Sequence, residues 1–248
     1  MTAQKDIFIP IAIVGLTLVL SLIHIFPCSS LFFSERITPR LKRTNERTKQ
    51  ALGVFYKRIG SFILFWLFPF LFIKFVLGDS PKNYGLSKGN GHVPTAVIVP
   101  VFIVTVLTLL FFSRKECVNE NYPEVGLARF SKFYFSLNMF SYIIYFFGYE
   151  SLYRGFLLFG LRKFTGNWVA VVASMAFTTF THIRASKHLL LGSMAIGFLF
   201  PYIALITESF RIVFVLHSFI GIGMDILCIR TRSRMEYQGS HIVRDRAQ

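Results

Sequence analysis

The sequence predicts an all-α fold, a polytopic transmembrane helical bundle of about seven spans. Three observations carry that expectation. Of the 248 residues, 54% are hydrophobic and 30 are Phe, with a mean hydropathy of +0.56, more apolar than a soluble domain of this size. Several runs approach the ~20 apolar residues that cross a bilayer as a helix. Lys and Arg gather mainly between those runs, where they set topology and meet anionic headgroups. The net charge of +15 therefore points to the lipid bilayer as partner. No nucleic-acid-binding signature accompanies it, so nucleic acid is excluded. Cys28, Cys117 and Cys228 are widely spaced without a Cys-x-x-Cys pair, so neither a disulfide nor a thiolate zinc site is expected.

Ile7 to Phe26 is the first span, too long for the apolar core of a cleaved signal peptide. His24, near its end, is read as interfacial or hydrogen-bonded. Ser34 to Arg58 holds eight Lys or Arg against Glu35 and Glu46, which places this loop in the cytoplasm. Part of it is expected to lie as a helix on the headgroups. Ile59 to Gly78 is span two, kinked at Pro69, with Lys74 reaching back to the interface. Asp79 to Pro94 is a loop with turn chemistry throughout, and its His92 receives no role. Thr95 to Phe112 is span three and Arg114 to Lys132 a mixed-charge loop.

Phe133 to Leu161 is span four, broken only by Glu150 and Arg154 and closed by Arg162 and Lys163, which suit a helix C-terminus. Trp168 to His182 is span five and Ile183 to Lys187 a polar link. His188 to Ile206 is span six, where Gly192, Ser193, Ala195 and Gly197 permit close packing and Pro201 kinks or ends the helix. Thr207 to Arg211 turns the chain into span seven, Ile212 to Ile229. The basic tail from Arg230 is expected to be disordered. Counting from a cytoplasmic first loop puts the N-terminus outside and the C-terminus in the cytoplasm. Three regions follow: 1–94, an N-terminal transmembrane region with the basic loop; 95–229, a core domain; and 230–248, the tail.

Ionisable groups in hydrocarbon are costly, about 2.5–3.5 kcal/mol for a charge at mid-depth, so those inside the spans call for partners or a function. Glu150 and Arg154, four apart, share a helix face and can pair. A structural ion pair accounts for these two as well as catalysis does. His182 and His217 come from other spans, and an antiparallel bundle can bring both to the Glu150 face. A carboxylate with two imidazoles can activate water. Glu150 would act as general base, and the histidines would hydrogen-bond an oxyanion or hold a divalent metal such as zinc.

The run Tyr149-Glu-Ser-Leu-Tyr-Arg154-Gly, then Phe-Thr-His182, then Leu-His217-Ser-Phe resembles the CAAX prenyl protease and bacteriocin-processing family, the type II CAAX endopeptidases, over roughly 95 to 229. That family's motifs are Glu-Glu-x-x-x-Arg, a second motif ending in His, and His-x-x-x-Asn or Asp. Tyr149 stands at the first Glu, and Gly221 at the Asn or Asp. Asp225, one helical turn further on, is a candidate substitute for that acid, and Tyr149 a candidate hydrogen-bond donor.

The resemblance implies an intramembrane endopeptidase acting on membrane-associated or prenylated protein substrates. Glu150, Arg154, His182 and His217 would be its catalytic residues, and His182 and His217 the holders of any metal. It also implies a multi-pass protein of the endoplasmic reticulum membrane if prenyl-processing, otherwise of the plasma membrane. Tyr149 and Gly221 favour an alternative, a member without proteolysis serving as a membrane scaffold or immunity-type protein. A further alternative is a proton-coupled transporter, against which the lack of internal repeats counts.

Overall fold

The computed structural model describes residues 2–25, 46–87, 89, 95–116, 122, 124–125 and 131–245. Residues 34–45 of the basic loop, His92, Cys28, Cys117 and most of 117–130 lie outside that set. Every one of the seven apolar runs is helical, and no strand occurs among the described residues.

Helix α1 is Thr2–Ile25. Helix α2 opens with Glu46–Phe62 and runs on through Ile63–Leu67, Phe68–Leu71 and Phe72–Val76, the first and last of these three π-helical. Pro69 explains that pattern. It cannot donate to the ladder and its ring crowds the preceding turn, so the helix widens around it rather than breaking. Helix α3 is Thr95–Glu116. Helix α4, Lys132–Glu150, passes without interruption through a π-helical turn, Ser151–Leu157, into α5, Leu158–Thr165. Helices α6 (Asn167–Phe180), α7 (Lys187–Thr207) and α8 (Arg211–Asp245) complete the bundle.

Four stretches are long and apolar enough to cross a membrane: Ile7–Ile25, Ala51–Val76, Lys187–Thr207 and Arg211–Thr231. Val99–Phe111 and Asn167–Phe180 are shorter apolar helices. Large apolar side chains such as Phe8, Phe75, Leu107 and Val215 stay exposed on the outer faces, as they do on a protein solvated by lipid tails rather than water. The chain is an integral membrane protein.

Contacts fix the relative helix directions. Ser21 bonds Tyr153 (2.8 Å), while Ile13, two turns earlier in α1, lies over Gly160, so α1 runs against α4–α5. Helix α8 also runs against α4, since His217 meets Glu150 and Asp225 meets Asn138. Helices α2 and α4 run together: Arg58 meets Asn138 and Ser141, and Phe62 meets Gly148. A Cβ at Gly148 would lie 2.9 Å from the Phe62 Cα, so only glycine lets these two backbones approach so closely. At one end of the bundle, Lys163 pairs with Asp79 (2.7 Å) and Arg162 with Glu208 (3.3 Å).

Several expectations need correction. Glu46 to Arg58 is no loop but the start of the span-two helix, and Arg58 is buried at 2% exposure. Span five stops at Phe180, leaving His182 in the turn beyond it. Pro201 sits within α7 without ending it. The tail is helical to Asp245. It contains no proline and many good helix formers, so a helix already nucleated in the bundle propagates through it. Cys228 is disulfide-bonded, where none was expected. Chain spacing says little about cysteines that helix packing brings together.

Candidate functional site

The π-helical turn after Glu150 puts ten consecutive residues, Ser151 to Gly160, in the buried interior. Such turns recur at functional sites because they re-aim the side chains around them. Within this region Glu150 is 0% and Arg154 1% exposed, with Arg154 Nε 3.3 Å from Glu150 Oε2. That approach is an ion pair without hydrogen-bond alignment, since both atoms lack an aligned partner. The second carboxylate oxygen, Oε1, meets His217 Nδ1 in a short contact and Arg154 Nη1 at 3.5 Å. Thus α8 delivers its imidazole to the carboxylate of α4.

A cavity of about 400 Å³ opens beside this pair. Tyr149, Arg154, His182 and His217 line it; Glu150 does not. The acid stands behind the imidazole, which is 16% exposed. Three rings hold His217 in place: Phe146 at 4.3 Å, Tyr149 edge-on at 5.3 Å and Phe200 at 5.7 Å.

Proton positions follow from the partners. A carboxylate only accepts, so His217 Nδ1–H donates to Glu150 and Nε2 carries the lone pair. His182 Nδ1 lies 2.9 Å from the Thr178 carbonyl oxygen, so it too donates from Nδ1 and keeps a basic Nε2. Thr181 spends its hydroxyl proton on the same carbonyl at 2.7 Å. Tyr149 must then donate to Thr181 Oγ1, 2.9 Å away. Tyr149 is thus a donor toward the wall.

The two departures from the motif pattern have structural counterparts. The Tyr149 ring occupies the wall beside His217 where a first carboxylate would stand. At Gly221 a side chain would collide with the ring of Phe146, which fills that space. Asp225 is fully buried and does not line the cavity. It accepts from Asn138 Nδ2 (2.6 Å) and from the Tyr142 hydroxyl (3.0 Å).

Sequence reasoning missed a second polar cluster on the cavity wall. Arg58 donates to Asn138 Oδ1 (2.7 Å), Ser141 Oγ (2.9 Å) and Glu124 Oε2 (2.8 Å), and its guanidinium lies 3.4 Å over the Tyr142 ring. Arg58 and Lys57 beside it hold the Glu124 carboxyl below the usual range. His24 sits between Ser61 (2.9 Å) and Tyr145 (3.4 Å), the hydrogen-bonded role the sequence suggested. The available signal was Arg58 itself, a cation three residues before the buried Ser61 on a helix face.

Among the described residues, no group of three or more His, Cys, Asp or Glu could hold a metal ion. A catalytic zinc takes three protein ligands. Here Glu150 is turned to His217 Nδ1, so the described residues bring two imidazoles to the cavity and no third ligand.

Residues 131–223 match the protein family described as Rce1-like: Type II CAAX prenyl endopeptidase Rce1-like. The matched stretch includes Tyr149, Glu150, Arg154, His182, His217 and Gly221, and leaves out His24, Arg58 and Glu124. It is therefore similar to the family that the motifs resemble. No curated protein and no solved structure matches the chain.

Proposed function

From that similarity as premise, we propose that this membrane protein is an endopeptidase that hydrolyses peptide bonds of membrane-associated protein substrates. The observation that carries the reading is the Glu150–His217 dyad facing a cavity that a second imidazole, His182, also lines. Water in the cavity would accept orientation from His182 Nε2 and lose a proton to His217 Nε2. Its oxygen attacks the peptide carbonyl carbon. Glu150, behind the ring, stabilises the imidazolium that forms, as the buried carboxylate does in serine-protease triads. The Arg154 guanidinium on the wall favours the negative charge on the tetrahedral oxygen. His217 then passes its proton to the leaving nitrogen as the C–N bond breaks. Glu150 is a positioning residue in this scheme and His217 the base, an exchange of the roles that spacing suggests. The residues need no metal for these steps. The basic stretch over 34–58 favours a cytoplasmic location for the cavity end of the bundle.

Tyr149 and the filled space at Gly221 favour a second reading, a member without proteolysis acting as a membrane scaffold. Purified protein in detergent, offered prenylated peptides and membrane-protein substrates, separates the two. Cleavage is expected from the wild type and not from His217→Ala, with His182→Ala strongly reduced. Cleavage that survives both substitutions removes the proposed mechanism. No cleavage by the wild type, with cellular function intact in His217→Ala, favours the scaffold. Proton flux in liposomes would favour transport.

A further inference from the structure

We propose that the protein is a homodimer in the bilayer, and that a groove on its outer face between α4 and α8 seats the second copy, with Ser218 of each copy hydrogen-bonded across the two-fold axis. The groove holds about 430 Å³ and shares no lining residue with the cavity of His182 and His217. Ile143 of α4 and Phe214, Ser218, Ile222 and Ile226 of α8 line it. The inference rests on the chain crossing a membrane and not on its being a peptidase.

Ser218 is 8% exposed, and its hydroxyl has no hydrogen-bond partner among the described residues. Other hydroxyls in the bundle return to the carbonyl four residues earlier: Thr17 to Ile13 (2.8 Å), Ser21 to Thr17 (2.7 Å), Thr178 to Ser174 (2.9 Å) and Thr207 to Ile203 (2.9 Å). Ser218 makes no such bond to Phe214 and stands in the groove instead. A buried hydroxyl left unpaired is costly, so the site lacks an acceptor. Its depth says where that acceptor comes from. Ser218 is seven residues past Arg211, where the α8 span begins, about 10 Å into a hydrocarbon layer ~30 Å thick. Water and lipid ester groups do not reach that level. An acyl chain would fill the groove and leave the hydroxyl as it is. Another membrane-spanning helix carries an acceptor at that depth, and hydroxyls there link one helix to another.

The surface is complementary to itself. Val215 and Phe219 stand beside the groove at 61% and 41% exposure. Val215, Phe219, Ile222 and Ile226 recur at intervals of four, three and four residues, the spacing of a seam between two supercoiled helices. Copies of one chain insert in one orientation, so a two-fold axis relating them stands along the membrane normal. Helix α8 then meets its copy in parallel, each residue opposite itself. Ser218 faces Ser218: one hydroxyl donates to the other, whose own proton goes back to its Phe214 carbonyl. Val215 and Phe219 of each copy enter the groove of the other. A second copy supplies both the ridge and the hydroxyl by symmetry alone.

The test uses the full-length protein in phospholipid liposomes, labelled at its C-terminus with donor or acceptor dye and progressively diluted with lipid. Energy transfer should follow a monomer–dimer equilibrium. Ser218→Ala should weaken association by about 3- to 15-fold, the range for one hydrogen bond between helices in a membrane. Ile222→Trp, which fills the groove, should abolish transfer. Ser218→Cys should add a disulfide-linked dimer on mild oxidation, absent from the wild type and from Ile11→Cys on the exposed face of α1. That crosslink changes no packing volume, so the test stands even where Ile222→Trp fails to fold. Monomers at every density, the outcome if a lipid chain or a different protein fills the groove, overturn the proposal. So does association that survives both Ser218→Ala and Ile222→Trp unchanged, or crosslinking through Ile11→Cys as efficient as through Ser218→Cys.

Discussion

Replacing Glu150 by Gln tests whether the buried ion pair and the dyad are one device or two. The carboxylate is 0% exposed and its partner Arg154 1%, at 3.3 Å. Removing the negative charge leaves a guanidinium uncompensated in the interior, a loss of about 3–5 kcal/mol. Gln keeps an oxygen that accepts from His217 Nδ1–H, so the ring should hold its place. Adding Arg154→Met removes the orphaned cation, and pairs replaced by apolar groups of similar volume are often neutral or better by about 1–4 kcal/mol. The double variant should therefore recover most of the lost stability. It should not recover activity, because a neutral amide cannot stabilise the imidazolium, and a rate loss of about 100- to 10,000-fold is expected. Unfolding in mixed detergent micelles, monitored by tryptophan fluorescence, gives the four stabilities of the cycle. Peptide cleavage gives the rates. A coupling energy below roughly 1 kcal/mol would show that the two charges do not depend on each other, refuting the ion-pair reasoning. Wild-type cleavage by Glu150→Gln would refute the positioning role.

Other consequences follow from particular contacts. Gly221→Ala should cost about 1–3 kcal/mol by forcing the Phe146 ring aside, and Phe146→Ala in the same chain should relieve the overpacking. An unperturbed unfolding midpoint for Gly221→Ala alone would contradict the packing. At the other end of the bundle, burial alone would raise the Asp79 carboxyl, but Lys163, Asn83 and the Ser80 N–H hold it below the ordinary 3.8. A depressed carboxylate contributes stability above its unfolded value and loses it as pH falls through the folded one. The Asp79–Lys163 tie should therefore hold above pH 3.8 and open below it. Protection factors from hydrogen exchange in the 79–84 turn should fall in acid in the wild type and stay constant with pH in Asp79→Asn. Because the described residues supply no third ligand beside His182 and His217, phenanthroline should leave cleavage at the wild-type rate. Loss of activity that added zinc restores would overturn the metal-free route.

The helical runs were legible as apolar text, and four of them, Ile7–Ile25, Ala51–Val76, Lys187–Thr207 and Arg211–Thr231, have the length and apolar character that crossing a bilayer demands. The intramembrane acid, base and imidazoles were legible for the same reason, as costly exceptions in apolar text. Their division of labour was not. Position along a helix fixes which side chains share a face, but which one reaches the cavity depends on what the neighbouring helices bring. Only the packing of α8 against α4 put His217 between Glu150 and the cavity, moved Asp225 into the Asn138 and Tyr142 network, and filled the space at Gly221 with Phe146. Arg58 makes the same point from the opposite side. In sequence it is the last of a run of solvated-looking charges; in three dimensions α2 and α4 bury it over Tyr142. Composition sets how much charge a chain carries and roughly where, whereas desolvation and pairing are properties of surfaces brought together from distant parts of the chain.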